Sequence, residues 1–308
     1  MSIEYLRNDN HTVISRHTSE YLAHLAAKKY SQRSMESYKH GLGRFASFLA
    51  AQDIQRIADV TGDHLAAFRL ELVERNYAIH TINLYLRSVK NLFAYLESTG
   101  QVFINPAASL IIPRQRNAIC PVPTEQDMKA LLSVPDISTP TGIRDRAIIE
   151  TFYSTGIRLA ELVNMNAWDV DSKQGRAKVT GKGKKQRVVP LGRQALFWIN
   201  RYLKDVRPRF IRKRIDEHAL WIGFCGKRIH PLIVERFVKG YGEQAGISSP
   251  VTPHALRRAC ATHMLRGGAH PVEIQMLLGH ASLACLSQYL NVTITDMKKT
   301  HAKGRPGK

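Results

Sequence analysis

Cysteine is scarce in this chain, and long apolar runs are missing. The four cysteines are too far apart for a zinc knuckle or a CxxC redox pair, so we expect reduced thiols and no metal site. They are Cys120, Cys225, Cys260 and Cys285. No run of about eighteen apolar residues occurs, and the N-terminus lacks a charged-then-apolar signal pattern. The sequence therefore predicts a soluble, cytoplasmic protein without membrane contact.

Acidic residues are outnumbered by basic ones. The 308 residues include 45 lysines and arginines against 25 aspartates and glutamates, giving a formal net charge of +20. This surplus favours a polyanionic partner such as nucleic acid, and counterion release would make that binding salt-dependent. Charge alone is also compatible with a merely solvated cationic surface. The length exceeds what one hydrophobic core usually fills, which predicts two domains.

The first third of the chain has helical periodicity. Residues 18–99 show no clear strand alternation. Breaks are predicted at Gly41, Gly62, Asn76 and Gly100. Segments 34–52 and 81–96 each place leucine and phenylalanine on one face, which predicts a compact domain of four or five helices. We predict that basic side chains on the opposite faces contact a DNA backbone. They are Lys28, Lys29, Arg33, Lys39, Arg44, Arg69, Arg75, Arg87 and Lys90.

The remainder of the chain has a mixed pattern. A proline-rich stretch, 104–123, predicts a connection between domains, and Thr124 is predicted to cap the next helix. A further amphipathic helix is predicted over 142–153. Apolar alternation over 167–191, interrupted by SKQG and GKGKK, predicts a short antiparallel sheet. The predicted fold class is mainly α with a small antiparallel β-sheet: an all-helical N-terminal domain followed by an α+β domain.

Two local patterns in the second half suit the binding of a phosphate. Arg158 and Glu161 are three residues apart, so on a helix the carboxylate can steady the guanidinium. An ordinary surface ion pair would give the same pattern. A helix start predicted at Thr252 puts His254 and Arg257 on one face near the positive end of that helix.

A basic turn and a later tyrosine are candidates for proton transfer and nucleophilic attack. The turn lacks the GxxxxGK[ST] spacing, which argues against a nucleoside triphosphate site. Lys182, Lys184 and Lys185 compete on these grounds for protonating a leaving oxygen. His280 is predicted at the junction of two helices with Tyr289 in the second, and spacing alone does not make that tyrosine a nucleophile.

The ordered motifs resemble one known family. GIRLAEL, GKGKKQRVVPL, HALRR, LLGH and a tyrosine nine residues after the last histidine resemble the tyrosine recombinase (phage-type integrase) family, particularly its Xer-like members. The likeness covers the second half and is compatible with the first half as the family's helical, SAM-like core-binding domain. It implies the following organisation. The core-binding domain spans 12–105, the linker 106–122, the catalytic domain 123–296 and the basic C-terminal tail 297–308.

The resemblance assigns four positions to the phosphate. It implies that Arg158 and Arg257 bind the scissile phosphate and neutralise charge in the transition state, with Glu161 in a supporting role. It also implies that His280 hydrogen-bonds the phosphate. One departure is Arg258, which stands where many relatives carry histidine and leaves the named positions intact.

Three further positions are assigned to bond making and proton transfer. The resemblance implies that Lys182, rather than its neighbours, protonates the leaving 5′ oxygen, and that His254 assists proton transfer. Tyr289 would attack phosphorus and leave a 3′-phosphotyrosyl bond and a free 5′ hydroxyl. Because this covalent bond preserves the energy of the phosphodiester, rejoining would need no ATP, cofactor or metal.

The implied function is site-specific DNA recombination on double-stranded DNA with short inverted-repeat sites. Four protomers, identical or mixed, would act on two duplexes, and mobile-element integration or excision is favoured over chromosome-dimer resolution. A basic segment after Tyr289 is a candidate for docking on a neighbouring protomer or for a disordered tail. The alternatives are supercoil relaxation of the type IB topoisomerase kind and a DNA-binding regulator without catalysis.

Overall fold

The computed structural model describes residues 13–113, 121–211, 218–223 and 225–279, except for the side chains of Val13 and Lys182. These described residues form two compact units, one before and one after the boundary between residues 118 and 119. We call the first the helical unit and the second, which contains both helices and strands, the mixed unit.

The described part of the helical unit contains four α-helices. They are α1 (Val13–Ala27), α2 (Gln32–Ala51), α3 (Gly62–Glu74) and α4 (Ile79–Ser98). Asn76 and Gly100 have positive φ angles of 56° and 70° just after α3 and α4, as expected of the predicted breaks. The apolar faces meet around Phe45, whose ring packs edge to face against Phe68 and Phe93 at centroid distances of 5.1 and 6.2 Å. The prediction of a compact helical domain is confirmed.

Gly41 does not break a helix, so that prediction is wrong. It lies inside α2, and a Cβ atom at this position would come within 3.0 Å of Ser88 Oγ and 3.1 Å of Tyr85 Cδ1 on α4. The absence of a side chain allows α2 and α4 to approach closely. This packing outweighs the cost of glycine inside a helix, which is about 1 kcal/mol.

The first part of the proline-rich connection packs on the helical unit. Ala107 is fully buried in the core of this unit. Lys90 Nζ on α4 donates to the carbonyl of Ala108 at 3.3 Å and to that of Leu110 at 3.0 Å. The chain up to Leu110 is therefore held against the helices rather than free as a connection.

The mixed unit contains eight further helices among its described residues. They are α5 (Glu125–Ser133), α6 (Pro140–Thr155), α7 (Leu159–Val163), α8 (Arg193–Arg201), α9 (Arg207–Phe210), α10 (Pro231–Gln244), α11 (Pro253–Arg266) and α12 (Pro271–Leu278). Thr124 caps α5 as predicted, because its hydroxyl accepts from the Asp127 amide at 3.0 Å. A wide turn of π type continues α8 into α9, and in it Tyr202 stacks on Trp221 at 5.2 Å.

A three-stranded antiparallel sheet lies between α7 and α8 in the chain. Its strands are β1 (Val170–Asp171), β2 (Arg176–Thr180) and β3 (Gln186–Pro190), in that spatial order. β2 pairs with β3 from Arg176 opposite Pro190 to Thr180 opposite Gln186. The predicted hairpin is confirmed, and its connecting turn contains the backbone of Lys182.

The predicted fold class is confirmed. Over its described residues the chain is mainly α-helical with one small antiparallel sheet, and the sheet lies in the second unit. Among the described helices, none combines the length and the apolar character needed to cross a membrane.

Candidate active site

The end of α6 leads directly into Arg158. Gly156 ends the helix in the left-handed conformation with φ 59°, and a Cβ atom there would lie 2.6 Å from Leu278 Cδ2. α7 begins directly after Arg158. Glu161 in its first turn accepts hydrogen bonds from the Arg158 amide at 2.9 Å and from Arg158 Nη1 at 2.8 Å. The contact predicted from the three-residue spacing is present, and it fixes a guanidinium that is 45% exposed.

Glu161 is shared with a second arginine that our sequence reasoning did not single out. Arg187 on β3 donates from Nη1 and Nη2 to the two carboxylate oxygens of Glu161, at 2.8 Å each. Burial would raise the pKa of Glu161, but hydrogen bonds from Arg187 and from the Arg158 amide outweigh it and hold that pKa at about 2. The carboxylate is therefore charged at neutral pH. Arg187 lies within GKGKKQRVVPL, and the available signal was a basic residue inside an otherwise apolar strand.

Arg257 is buried near the start of α11. Thr252 caps this helix as predicted, since its hydroxyl accepts from the Ala255 amide at 3.1 Å. Arg257 is 2% exposed, and its Nη1 donates to the carbonyl of Gly156 at 2.6 Å. The two arginines predicted to bind one phosphate are thus connected through the short segment that precedes Arg158.

Three consecutive carbonyls at the end of α12 each accept a hydrogen bond from a different arginine. The pairs are Arg187 Nε to Leu277 at 3.1 Å, Arg257 Nη2 to Leu278 at 2.8 Å and Arg158 Nη2 to Gly279 at 3.4 Å. The negative end of the helix dipole favours this gathering of cations. Because His280 follows Gly279 directly, the arginines surround the backbone from which the chain continues towards the predicted tyrosine.

His254 lies on the exposed side of this cluster, in the first turn of α11. Desolvation lowers its pKa, and the positive charges of Arg258, Arg257 and Arg158 lower it further. The imidazole is therefore biased towards the neutral form, which can accept a proton. His263, further along α11, lies deeper in the unit, where its Nδ1 is 2.9 Å from the Tyr153 hydroxyl.

Three of the predicted site positions cannot be placed around this cluster. His280 and Tyr289 lie outside the described residues, as do Cys120, Cys285 and the C-terminal tail. Of Lys182 only the backbone is described, in the turn between β2 and β3, where Lys184 and Lys185 are both exposed. The described structure therefore brings together Arg158, Glu161, His254 and Arg257, and it adds Arg187 to them.

Comparison with known proteins identifies the class. Residues 122–295 match the phage integrase family, and residues 18–100 match the phage integrase N-terminal SAM-like domain. Tyrosine recombinase XerC of Chlamydia caviae is 34% identical over 246 residues, covering 80% of this chain and 78% of the relative. Tyrosine recombinase XerC 2 of Ralstonia nicotianae is 34% identical over 306 residues, covering 97% and 88%. The chain therefore belongs to the phage integrase family.

Within that family the chain is a Xer-like tyrosine recombinase. Its enzymatic activity is site-specific DNA recombination, which confirms the predicted family and enzyme class. A solved structure described as a lambda integrase tetramer bound to a Holliday junction has the same fold, with a TM-score of 0.72. It shares 18% sequence identity and covers 91% of this chain and 78% of its own.

Proposed function

We propose that this recombinase cuts DNA by attack of Tyr289 on a phosphodiester, which gives a 3′-phosphotyrosyl bond and a free 5′ hydroxyl. The observation that carries the proposal is the convergence of Arg158 and Arg257 on neighbouring carbonyls at the end of α12. Two guanidiniums fixed side by side can bind the non-bridging oxygens of one phosphate. The backbone between them leads directly to His280 and, nine residues further, to Tyr289.

The arginines neutralise the charge that develops on phosphorus as the phenolic oxygen of Tyr289 attacks. The bond between phosphorus and the 5′ oxygen breaks, and Lys182 gives a proton to this departing oxygen. His254, biased towards its neutral form, assists transfer of the tyrosine proton, and His280 hydrogen-bonds the phosphate. Attack by the 5′ hydroxyl of another strand reverses these steps and releases the tyrosine, so the protein's own groups suffice for joining.

DNA binding and assembly complete the proposal. Exposed basic side chains of the helical unit are candidates for contacts with the DNA backbone. They are Lys28, Lys29, Arg33, Lys39, Arg69 and Arg87. We propose that four protomers, identical or mixed with a second recombinase, act on two cytoplasmic duplexes at short inverted-repeat sites. The lambda integrase complex, which is a tetramer on a Holliday junction, supports this stoichiometry.

The proposal is tested with a nicked suicide substrate, in which the cleaved end diffuses away and traps the covalent protein. Candidate duplexes come from inverted repeats in the DNA that flanks the reading frame. Wild-type protein should form a DNA adduct that resists denaturation, whereas Tyr289→Phe should bind the same duplex and form none. An adduct with Tyr289→Phe would move the nucleophile to another residue. Absence of an adduct with wild type on a duplex that it binds would overturn the mechanism.

A further inference from the structure

Arg187 is held in place by three hydrogen bonds within the protein. Its Nη1 and Nη2 bind both oxygens of Glu161, and its Nε binds the carbonyl of Leu277. Its side chain is 18% exposed, so most of the guanidinium is shielded from solvent. The mechanism proposed above gives this residue no step, although it joins β3 to both α7 and the end of α12.

The charge of Glu161 explains why a second arginine is needed. Glu161 orients Arg158 through the Nη1 contact, but a buried carboxylate paired with Arg158 alone would cancel the positive charge that a phosphate requires. The two-point contact with Arg187 adds one positive charge to the pair. The trio of Arg158, Glu161 and Arg187 then carries a net charge of about +1, given one charge on each group.

The backbone around this pair leaves no room for larger groups. A Cβ atom at Gly181 would lie 3.1 Å from Glu161 Oε1, and one at Gly279 would lie 3.0 Å from Arg187 Nε. Both distances are tighter than ordinary van der Waals contact, so a side chain at either position would push on the carboxylate or the guanidinium. The geometry of the ion pair is thus set from two sides by the turn before β3 and by the end of α12.

We propose that Arg187 is a positioning residue for Arg158: it compensates and orients the Glu161 carboxylate, so that Arg158 keeps a net positive charge for the scissile phosphate. This inference rests on the function proposed above. The bidentate contact with Glu161 favours arginine over lysine, because an ammonium group cannot bind both carboxylate oxygens in one plane.

The first test measures the rate of adduct formation on the suicide substrate at saturating DNA. Arg187→Met should lower this rate by roughly 10- to 100-fold, by analogy with the loss seen when a residue that orients a metal ligand is removed. Its DNA dissociation constant should stay close to that of wild type. The double variant Arg187→Met with Glu161→Gln should cleave faster than Arg187→Met alone, because the uncompensated carboxylate has been removed. A double variant that is equally slow or slower would overturn the proposal.

A second test changes the substrate instead of the protein. Replacing one non-bridging oxygen of the scissile phosphate by methyl removes its negative charge, so the reaction depends less on the charge of Arg158. The defect of Arg187→Met should shrink on this methylphosphonate. A defect of the same size on both substrates would show that Arg187 does not act through Arg158. If Arg187→Met does not fold, Arg187→Gln removes the same charge while keeping a hydrogen-bond donor near Glu161, and it is compared on the same two substrates with the same criterion.

The matched control is Arg176→Met on β2, since Arg176 is a half-exposed arginine of the same sheet that pairs with Asp171 at 3.4 Å. It should cleave like wild type on both substrates. Wild-type protein is assayed in parallel, so the two levels of the argument stay separate. No wild-type adduct would remove the proposed mechanism, whereas a wild-type adduct with an unimpaired Arg187→Met would remove only the role of Arg187.

Discussion

Arg257 and Gly156 are joined by a hydrogen bond of 2.6 Å from guanidinium to carbonyl, although 101 positions separate them in the chain. The second Nη of Arg257 donates to the carbonyl of Leu278 at 2.8 Å. One planar side chain therefore sets the spacing between the end of α6 and the end of α12. Because Gly156 precedes Arg158 by two residues, it also fixes the backbone that carries the other arginine.

Arg257→Lys should impair cleavage strongly despite the conserved charge. A lysine ammonium cannot replace the two coplanar NH2 groups of the guanidinium, so at most one of the two carbonyls keeps its hydrogen-bond donor. We expect adduct formation at saturating DNA to fall by roughly 10²- to 10³-fold, the effect of losing one preorganised charge-stabilising group. The two carbonyls that Arg257 binds lie in a buried region, so the unfolding free energy should also fall, by about 1–3 kcal/mol.

The control for this variant is Arg266→Lys, an exposed residue at the other end of α11. It should retain both the cleavage rate and the unfolding free energy. Near-normal cleavage by a folded Arg257→Lys protein would show that the two-pronged geometry is not required.

Lys182→Ala should be rescued by a better leaving group. On an ordinary suicide substrate this variant should lose roughly 10²- to 10⁴-fold in cleavage rate, the usual contribution of a general acid. Replacing the leaving 5′ oxygen by sulfur removes the need for a proton, so wild type and Lys182→Ala should then cleave at similar rates. Lys184→Ala, on the same turn, should be close to wild type on both substrates. The reverse pattern would assign the proton to Lys184.

The stability of the mixed unit should depend on pH through His254. Desolvation and then the charges of Arg258, Arg257 and Arg158 place its folded-state pKa below the ordinary value of 6.5. Between these two values the unfolded chain binds more protons than the folded protein, so the unfolding free energy falls as the pH falls through that window. His254→Gln should flatten this dependence below pH 6.5. A residual slope should remain from His263, whose pKa is also lowered, mainly by burial.

Tryptophan fluorescence can follow this unit selectively. The three tryptophans of the chain, Trp168, Trp198 and Trp221, all lie between residues 119 and 308. Urea unfolding at a series of pH values therefore reports on the mixed unit without a tryptophan signal from the helical one. His24→Gln, in the helical unit, is the matched control and should leave the curve unchanged. Equal slopes for wild type and His254→Gln would contradict the assignment.

Features that depend on neighbours within a few residues could be predicted from the sequence. The caps at Thr124 and Thr252, the end of α6 at Gly156 and the contact between Arg158 and Glu161 each involve residues no more than four positions apart. Such contacts follow from helix geometry and turn chemistry, so they require no knowledge of the tertiary fold.

Features that depend on tertiary packing could not be predicted in this way. Arg187 and Glu161 are 26 positions apart, and their contact depends on the register of β3 and on the placement of α7 against the hairpin. Gly41 has the composition signal of a break, yet the approach of α4 makes it part of a helix. The resemblance to tyrosine recombinases supplied the roles of the residues in the quoted motifs. The contacts of Arg187, in contrast, could be seen only in the structure.

Tertiary contacts also distinguish Arg87 from Lys90, two basic residues of α4 that the sequence predicts as DNA contacts. Three of the nine predicted DNA contacts have intramolecular partners: Arg44 on α2 and Arg75 after α3 both pair with Glu71, and Lys90 on α4 binds the carbonyls of Ala108 and Leu110. Arg87, three positions before Lys90 on the same helix, is exposed. DNA contact therefore stays a prediction for the other six residues, because Arg44, Arg75 and Lys90 are engaged within the protein.

Arg87→Ala should accordingly change the salt dependence of DNA binding, whereas Lys90→Met should change the local stability of the connection. If Arg87 contacts a phosphate, its loss should reduce the slope of log binding constant against log salt by about 1, with little change in stability. Lys90→Met should keep the slope, because its ammonium group is engaged with the chain, but should speed hydrogen exchange over residues 102–113. A salt slope that falls more for Lys90→Met than for Arg87→Ala would mean that Lys90 leaves its two carbonyls for DNA. In that case the packing of the connection on α4 would itself depend on whether DNA is bound.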